Sequence, residues 1–397
     1  MHRKAKILNS VNRSPYYSAE KCTFDSIADF PIITKQIVSN NNDMFIVNDA
    51  IPHKLMSVLT SGSTGVPMRI LWDPLDYCAS LAELWKIRKA YGIYPNDRYV
   101  SYHAVLYNSL NGIHNRAIIQ KNNLSLSQTS LSRSTFEYYY NLVKSFHPRF
   151  MMLPPSFLFG FIIFLKGEKL KLPESIKLIE LVGEKCEEEL YLWFQEQYPD
   201  IIWRILYGMQ EFNGIAYGSN EGLRIIEKNV FVETVNETGE ATNIGEEGNI
   251  IVTGLKNAVF PLIRYKTEDR GFFDSKGFLH ITMSRSNDCL YYQGKVFDGS
   301  IFWASILHLQ QRLNICIGQF QVRHKCNVVH VLLLINNKLQ QSNTLLAELI
   351  SEFLFVKFQI KIKVIVEIVD NIAVEGDKNK LKYFINEDCC EVKTNGK

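Results

Sequence analysis

The sequence predicts an α/β protein: a large body of layered α/β sheets with a small β subdomain, followed by a smaller α+β C-terminal lid lobe. Three observations carry that prediction. Strand-like and helix-like segments alternate between residues 96 and 206, the pattern of a sheet covered by helices. Short strands separated by Gly-containing turns then fill residues 231–282, as a small antiparallel unit does. After residue 284 two alternating strands, a helix and a further strand follow. The 397 residues therefore divide into a body at 1–283, with the β subdomain at about 230–283, and a lobe at 284–397. A chain of this length can bury more than one core.

Each element has its own local signal. The first 50 residues are polar and broken, apart from the apolar patch around Phe30, Ile32 and Ile33. Residues 56–71 read as strand, Ser/Gly/Thr loop and strand. Leu75, Ala79, Ala82, Leu84 and Ile87 recur at helical spacing, so a helix is expected over 75–90. Residues 176–182 form a buried-strand candidate, 187–197 an amphipathic helix and 201–206 the next strand. Strands are expected at 231–235, 248–252, 262–265 and 278–282, then at 316–323, 328–335 and 360–369 around a helix at 339–355.

Composition excludes several classes of function. Lys+Arg 44 against Asp+Glu 41 leaves a net charge of +3, too balanced for a nucleic-acid partner without a local basic stripe, and none is visible. The eight cysteines include no Cys-x-x-Cys pair and no zinc spacing, which points to reduced thiols and a cytoplasmic protein. The basic N-terminus lacks the apolar stretch of a signal peptide. The greasiest run, residues 157–165, is far shorter than the roughly 20 residues of a membrane span.

The chemistry is concentrated in a set of ordered motifs. Thr60-Ser61-Gly62-Ser63-Thr64-Gly65 can turn backbone N–H groups and hydroxyls toward phosphate oxygens. It is no Walker A loop, since Val66 follows where that motif has lysine. Alone, such a segment is more often a plain hairpin turn, and it becomes informative only through the motifs that accompany it. Downstream lie Tyr207-Gly208-Met209-Gln210-Glu211, Pro261-Leu262-Ile263-Arg264-Tyr265-Lys266-Thr267-Glu268-Asp269, Ser284-Arg285-Ser286-Asn287-Asp288, Gly294-Lys295-Val296 and Asn379-Lys380-Leu381-Lys382-Tyr383-Phe384.

In this order the motifs resemble those of the adenylate-forming superfamily of acyl-CoA synthetases and adenylation domains. The resemblance is strongest to the phenylacetate-CoA ligase branch and its CapK-like relatives, and runs from about residue 10 to about residue 386. It implies an ATP- and Mg²⁺-dependent ligase that joins a carboxylic acid to AMP with release of pyrophosphate, then passes the acyl group to an acceptor. Because the reacting phosphate is crowded by negative oxygens, catalysis of this kind is mostly charge neutralisation and alignment. By the resemblance, Thr60, Ser61, Gly62, Ser63, Thr64 and Gly65 cradle the terminal phosphates. Glu211 holds Mg²⁺, a role suited to a hard oxygen donor. Tyr207, with Gly208, stacks on adenine, and Gly183 and Glu184 flank the base. Asp269 takes the ribose hydroxyls, and Arg285 lies in the hinge. Lys380, on the lobe, neutralises the reacting groups as a catalytic cation. It sits in a lysine-rich run with Lys378 and Lys382, which also reads as a solvated basic face.

The acid pocket is expected near residues 101–112, 151–160 and 207–215. Tyr102, Tyr107, Phe157 and Phe212, with His103 among them, suggest an aromatic or medium apolar acid. Coenzyme A is the expected acceptor. A carrier-protein thiol or an amine is the alternative, and a non-catalytic nucleotide-binding relative is the rival from another class. Four departures from the family pattern stand out: Gln210 for threonine, Glu268 for glycine, Ser284 for glycine and Asn287 for an acid.

Overall fold

A computed structural model describes residues 7, 10–19, 26–60, 68–103, 117–127, 133–283, 289–313, 315, 317–335, 341–370, 372 and 383–387. The chain forms two compact units, each built from two stretches: Met1–Tyr94 with Arg204–Ser286, and Pro95–Trp203 with Asn287–Lys397.

The first stretch holds the short helix α1 (Pro15–Ala19), then α2 (Lys35–Asn40), whose N-cap Thr34 accepts from the Ile37 amide at 3.3 Å. Strands β1 (Met56–Leu59) and β2 (Arg69–Trp72) pair antiparallel, the two strands expected on either side of the Ser/Gly/Thr segment. Helix α3 (Pro74–Lys89) starts where Asp73 caps the amides of Leu75 and Asp76, with proline in its first turn. Both are standard start signals, because the first amides of a helix have no intrahelical partner.

In the second unit, β3 (Tyr99–His103) lies parallel to both β5 (Asn123–Ser127) and β6 (Phe150–Leu153), while β4 (Ala117–Gln120) pairs antiparallel with β5. Helix α4 (Arg133–Phe146) joins β5 to β6, and α5 (Pro155–Gly167) joins β6 to its parallel neighbour β7 (Leu178–Val182). Every residue of α5 from Pro155 to Leu165 is buried, which explains why its sequence is apolar all round. Helix α6 (Glu188–Gln197) follows.

Returning to the first unit, seven strands form an antiparallel array in the order β11-β12-β13-β14-β10-β9-β8. They are β8 (Ile202–Met209), β9 (Asn213–Ser219), β10 (Gly222–Ile225), β11 (Val230–Val235), β12 (Gly248–Gly254), β13 (Tyr265–Phe273) and β14 (Leu279–Met283). The strands expected for the β subdomain thus continue one sheet with β8–β10. The strand expected at 262–265 begins only at Tyr265. Arg264 takes a φ of 50° and its buried guanidinium donates to Glu233, to the carbonyls of Ala28 and Phe30, and to the Gly239 carbonyl. The apolar run before β13 is spent on clamping the N-terminal segment, where Ile33 also bridges Tyr265.

The last stretch opens with the hairpin β15 (Cys289–Tyr292) and β16 (Lys295–Asp298). Its turn residues Gln293 and Gly294 both have positive φ, as a tight hairpin turn demands. Helix α7 (Ile301–Leu313) leads to β17 (Ile317–Lys325) and β18 (Val328–Ile335), then to α8 (Asn343–Phe358), β19 (Lys363–Ile368) and β20 (Phe384–Asn386). The sheet order is β19-β18-β17-β20, with β18 and β19 parallel across α8. Helix α8 lies later than the pattern at 339–355 suggests because Ser342 caps it and Gln359, in the left-handed region, ends it. Within this unit α7 and β17 pack on α5: Trp303 meets Phe159 edge-to-face at 5.1 Å, and Ser300 and Lys357 bond to Glu187 and Glu189. Among the described residues no helix is long and apolar enough to cross a membrane.

Candidate active site

The first unit places two acids by a reciprocal arrangement. Tyr207, on β8, donates its hydroxyl to Asp269 Oδ2 at 2.6 Å. Tyr265, at the start of β13, donates to Glu211 Oε1 at 3.1 Å. Each tyrosine lies four residues before an acid in sequence and bonds to the other acid. The two segments are thereby cross-linked twice, and both carboxylates are withdrawn from bulk water, with exposures of 6% for Asp269 and 4% for Glu211.

The backbone explains the placement. Opposite β12, the register slips between the pairs Ile251–Lys266 and Asn249–Arg270, so β13 carries extra residues at 267–269. Bulges of this kind re-aim a side chain. The Thr267 hydroxyl donates to the Ile250 carbonyl and accepts from the Asp269 amide at 3.1 Å, which locks the bulge. Glu268 adopts a φ of 71°, the conformation for which glycine is the default residue. Glu211 sits in the turn between β8 and β9, where Gly208 passes so close to the opposite strand that an added Cβ would lie 2.4 Å from the Asn213 carbonyl oxygen. Gln210 is exposed in that turn.

Thr60 is buried beside the Ser/Gly/Thr segment. Its hydroxyl accepts from the Met68 amide at 3.0 Å and its own amide donates to the Met68 carbonyl at 2.9 Å, so Thr60 closes the neck of the loop. Ser61, Gly62, Ser63, Thr64 and Gly65 lie outside the described residues. Phe212 is buried in the first unit's core, edge-on to Tyr265 at 5.8 Å.

The second unit gathers another polar group. Gly183 turns the chain after β7 with a φ of 82°, and Glu184 Oε2 accepts the Ser156 amide in the first turn of α5 at 3.2 Å. Tyr102 on β3 packs on Phe157 at 4.8 Å. Burial, with Tyr383 and Glu184 nearby, drives its phenol well above the ordinary tyrosine range. Tyr383 is raised for the same reasons, burial first and the Glu184 charge second, while a hydrogen bond with Ser156 acts the other way. These phenols are therefore neutral at any physiological pH. The side chain of His103 and all of Arg285 and Lys380 lie outside the described residues.

Chemically, Glu211 offers the oxygen donor that a hard divalent cation takes, and magnesium commonly uses one or two carboxylates together with substrate phosphates. No group of three or more His, Cys, Asp or Glu side chains that could hold a metal gathers among the described residues. Asp269 offers two acceptor oxygens, the right number for a diol. Tyr265 was absent from the residues singled out by sequence. Its signal was there, since it lies within the Pro261–Asp269 motif, but its role depends on which strand β13 faces.

No protein-family profile matches the chain. A phenylacetate-coenzyme A ligase of Pseudomonas putida is 25% identical over 256 residues, 62% of this chain and 56% of that protein, so the match spans little more than half the relative's length. Among solved structures, 2-hydroxyisobutyryl-CoA ligase in complex with 2-HIB-AMP superposes with a TM-score of 0.74 at 14% identity, over 99% of this chain and 90% of that one. The anthranilate CoA ligase AuaEII with anthranoyl-AMP gives 0.62 at 16% identity, over 89% and 71%. O-succinylbenzoate coenzyme A synthetase of Bacillus subtilis, with ATP and magnesium, gives 0.51 at 19% identity, over 82% and 69%. The chain has the fold of the adenylate-forming CoA ligases.

Proposed function

We propose that this protein is an ATP-dependent acid ligase that couples a carboxylic acid to AMP, releases pyrophosphate, and transfers the acyl group to coenzyme A. The observation that carries this reading is the reciprocal pair of bonds Tyr207–Asp269 and Tyr265–Glu211. It sets Asp269 and Glu211, the acids this reading gives to the ribose diol and to the metal, on one cross-linked frame, in a fold whose solved relatives hold acyl-AMP or ATP with magnesium. Magnesium, when bound, would offset the charge of the phosphates. Glu211 would hold it, with Tyr265 fixing the carboxylate. Asp269 would take both ribose hydroxyls, with Tyr207 fixing its orientation and presenting its ring to adenine. Thr60 would hold the phosphate loop closed at its neck, with Ser61, Gly62, Ser63, Thr64 and Gly65 as the cradle.

In the same reading, residues 284–397 act as a lobe and bring Lys380 to the reacting carboxylate and α-phosphate, with Arg285 in the hinge. Gly183 and Glu184 flank the base. His103, Tyr102 and Phe212 serve the acid pocket, which suits an aromatic or medium apolar acid. We place the protein in the cytoplasm, in keeping with the free thiols Cys78 and Cys186. An amine or a carrier-protein thiol is the second reading of the acceptor, since an amide bond synthetase, McbA of Marinactinospora thermotolerans, shares the fold with a TM-score of 0.53.

The test is pyrophosphate release from ATP–Mg²⁺ with a panel of aromatic, hydroxy and short-chain acids, with and without coenzyme A. Release that depends on one acid and quickens with coenzyme A is the expected result. Release that coenzyme A leaves unchanged moves the acceptor to an amine or carrier protein. ATP binding without release for any acid rejects the ligase reading.

A further inference from the structure

Beside Glu211 the first unit encloses a small cavity of about 10 Å³, the space of one water. Its walls include Trp72, Asn229, Lys256 and Asn257. Trp72, Asn229 and Asn257 are 1%, 2% and 5% exposed, yet Trp72 Nε1, Asn229 Oδ1 and Asn257 Oδ1 have no hydrogen-bond partner among the described residues. Buried polar atoms are almost always satisfied, so three such atoms around one cavity form a pattern.

The orientation of both amides is fixed by what lies behind them. Asn229 Nδ2 donates to the carbonyls of Ser80 at 3.1 Å and Gly214 at 3.2 Å, and Asn257 Nδ2 donates to the Leu71 carbonyl at 2.8 Å. Turning either amide over would set carbonyl against carbonyl. The unpartnered set is therefore one donor and two acceptors. A cation is disfavoured by the indole N–H and by Lys256, whose ammonium already lies in the wall with the Ala79 carbonyl at 3.2 Å and Glu83 at 3.6 Å. An anion is disfavoured by the two carbonyl oxygens. Water satisfies all three atoms at once, accepting from the indole and donating to both amides, and buried waters make about three such bonds.

We infer that Trp72, Asn229 and Asn257 bind one ordered water and through it fix the turn that carries Glu211. The three residues come from separate segments: Trp72 ends β2, the strand that leaves the phosphate loop, Asn229 precedes β11, and Asn257 follows β12. One bridging water ties these three segments together in the cavity that Glu211 and Phe212 also line. The second half of this inference rests on the reading of Glu211 as the magnesium carboxylate; the first half does not. Trp72, Asn229 and Asn257 are positioning residues for that acid.

A high-resolution crystal structure of the unaltered chain tests the water. The expected result is one water within hydrogen-bond distance of Trp72 Nε1, Asn229 Oδ1 and Asn257 Oδ1. A dry cavity, or an ion identified by anomalous scattering, overturns it. Trp72→Phe removes the donor while keeping an aromatic ring, and Trp72→Phe with Asn257→Leu removes a donor and an acceptor together. The Mg²⁺ concentration that half-saturates ATP binding, followed by calorimetry, should rise in Trp72→Phe, by less than the roughly 10–100-fold of losing a direct partner of a metal ligand, because Trp72 acts only through the water. An unchanged value rejects the positioning role. Failure of every acid to drive pyrophosphate release would remove the ligase reading while leaving the crystallographic outcome to decide the water site.

Discussion

Replacing Tyr207 with phenylalanine removes one hydroxyl from the site and leaves its ring. That hydroxyl donates to Asp269 Oδ2 at 2.6 Å, and Asp269 is nearly buried. A hydrogen bond to a charged acceptor contributes about 1.5–3 kcal/mol, and leaving a buried carboxylate short of a donor costs toward the upper end. Part of this is folding stability, read as a lower urea midpoint. The rest bears on the nucleotide. If Asp269 grips the ribose hydroxyls, the Tyr207 phenol fixes the plane of the carboxylate, and losing it should weaken ATP binding about tenfold, or about 1.4 kcal/mol. The phenyl ring remains, so the change isolates the hydroxyl.

The assay is calorimetric titration of ATP–Mg²⁺ into the unaltered chain, Tyr207→Phe, Asp269→Asn and the double variant. If the phenol acts through the acid, the double variant binds no more weakly than Asp269→Asn alone, and the coupling energy is at least about 1 kcal/mol. Two results would refute the reasoning. Unchanged ATP affinity in Tyr207→Phe, with weakening in Asp269→Asn, would leave the hydroxyl purely structural. Coupling within about 0.5 kcal/mol of zero would mean the two residues act independently.

Three further outcomes are expected. Lys380→Ala should lower acid-dependent pyrophosphate release by orders of magnitude while ATP still binds, and an unchanged rate would move the role to Lys378 or Lys382 or to neither. Glu268→Gly should raise stability in urea by about 0.5–1 kcal/mol, because relief of a left-handed backbone outweighs the added flexibility of glycine; no gain would show that the side chain offsets the strain. Gly160→Ala should lower stability by about 1–3 kcal/mol through overpacking. Its new methyl would meet the Gly318 carbonyl oxygen at 2.7 Å and the Phe136 ring at 3.0 Å, and an unchanged melting temperature would contradict so close an approach of α5 to β17.

The sequence made some of this legible and concealed the rest for physical reasons. Helix α3 was readable because its cap, its proline and its apolar spacing are local. The two strands that flank the Ser/Gly/Thr segment were readable for the same reason. Asp269 and Glu211 could be singled out only through ordered motifs, since a lone acid in a turn carries no local signal. The start of β13 was misplaced because Pro261–Tyr265 is apolar enough to pass for a strand, whereas the buried guanidinium of Arg264 and its positive φ answer to Glu233 and to carbonyls more than 200 residues away in sequence, at Ala28 and Phe30. Tyr265 was missed because its partner lies across the sheet, and Trp72, Asn229 and Asn257 because only the folded chain brings them to one cavity.

The departures from the family pattern bear on whether the chain is still an enzyme. Glu268 stands where glycine is usual, and the backbone there keeps the positive φ that glycine would adopt. The substitution is absorbed as strain while Asp269 stays in place, bonded to Tyr207. Gln210 is exposed and takes no part in the Tyr265–Glu211 bond. Stability alone gives little reason for this arrangement. Burying a carboxylate is costly unless it is paired and hydrogen-bonded, and an apolar side chain of similar volume in place of a buried charged group is often neutral or stabilising. A protein that used the fold only as a scaffold would lose nothing by filling both positions with leucine. Two buried acids, each served by a tyrosine from the other's segment and one of them held on a strained bulge, fit the roles proposed for Asp269 at a ribose diol and for Glu211 at a magnesium ion.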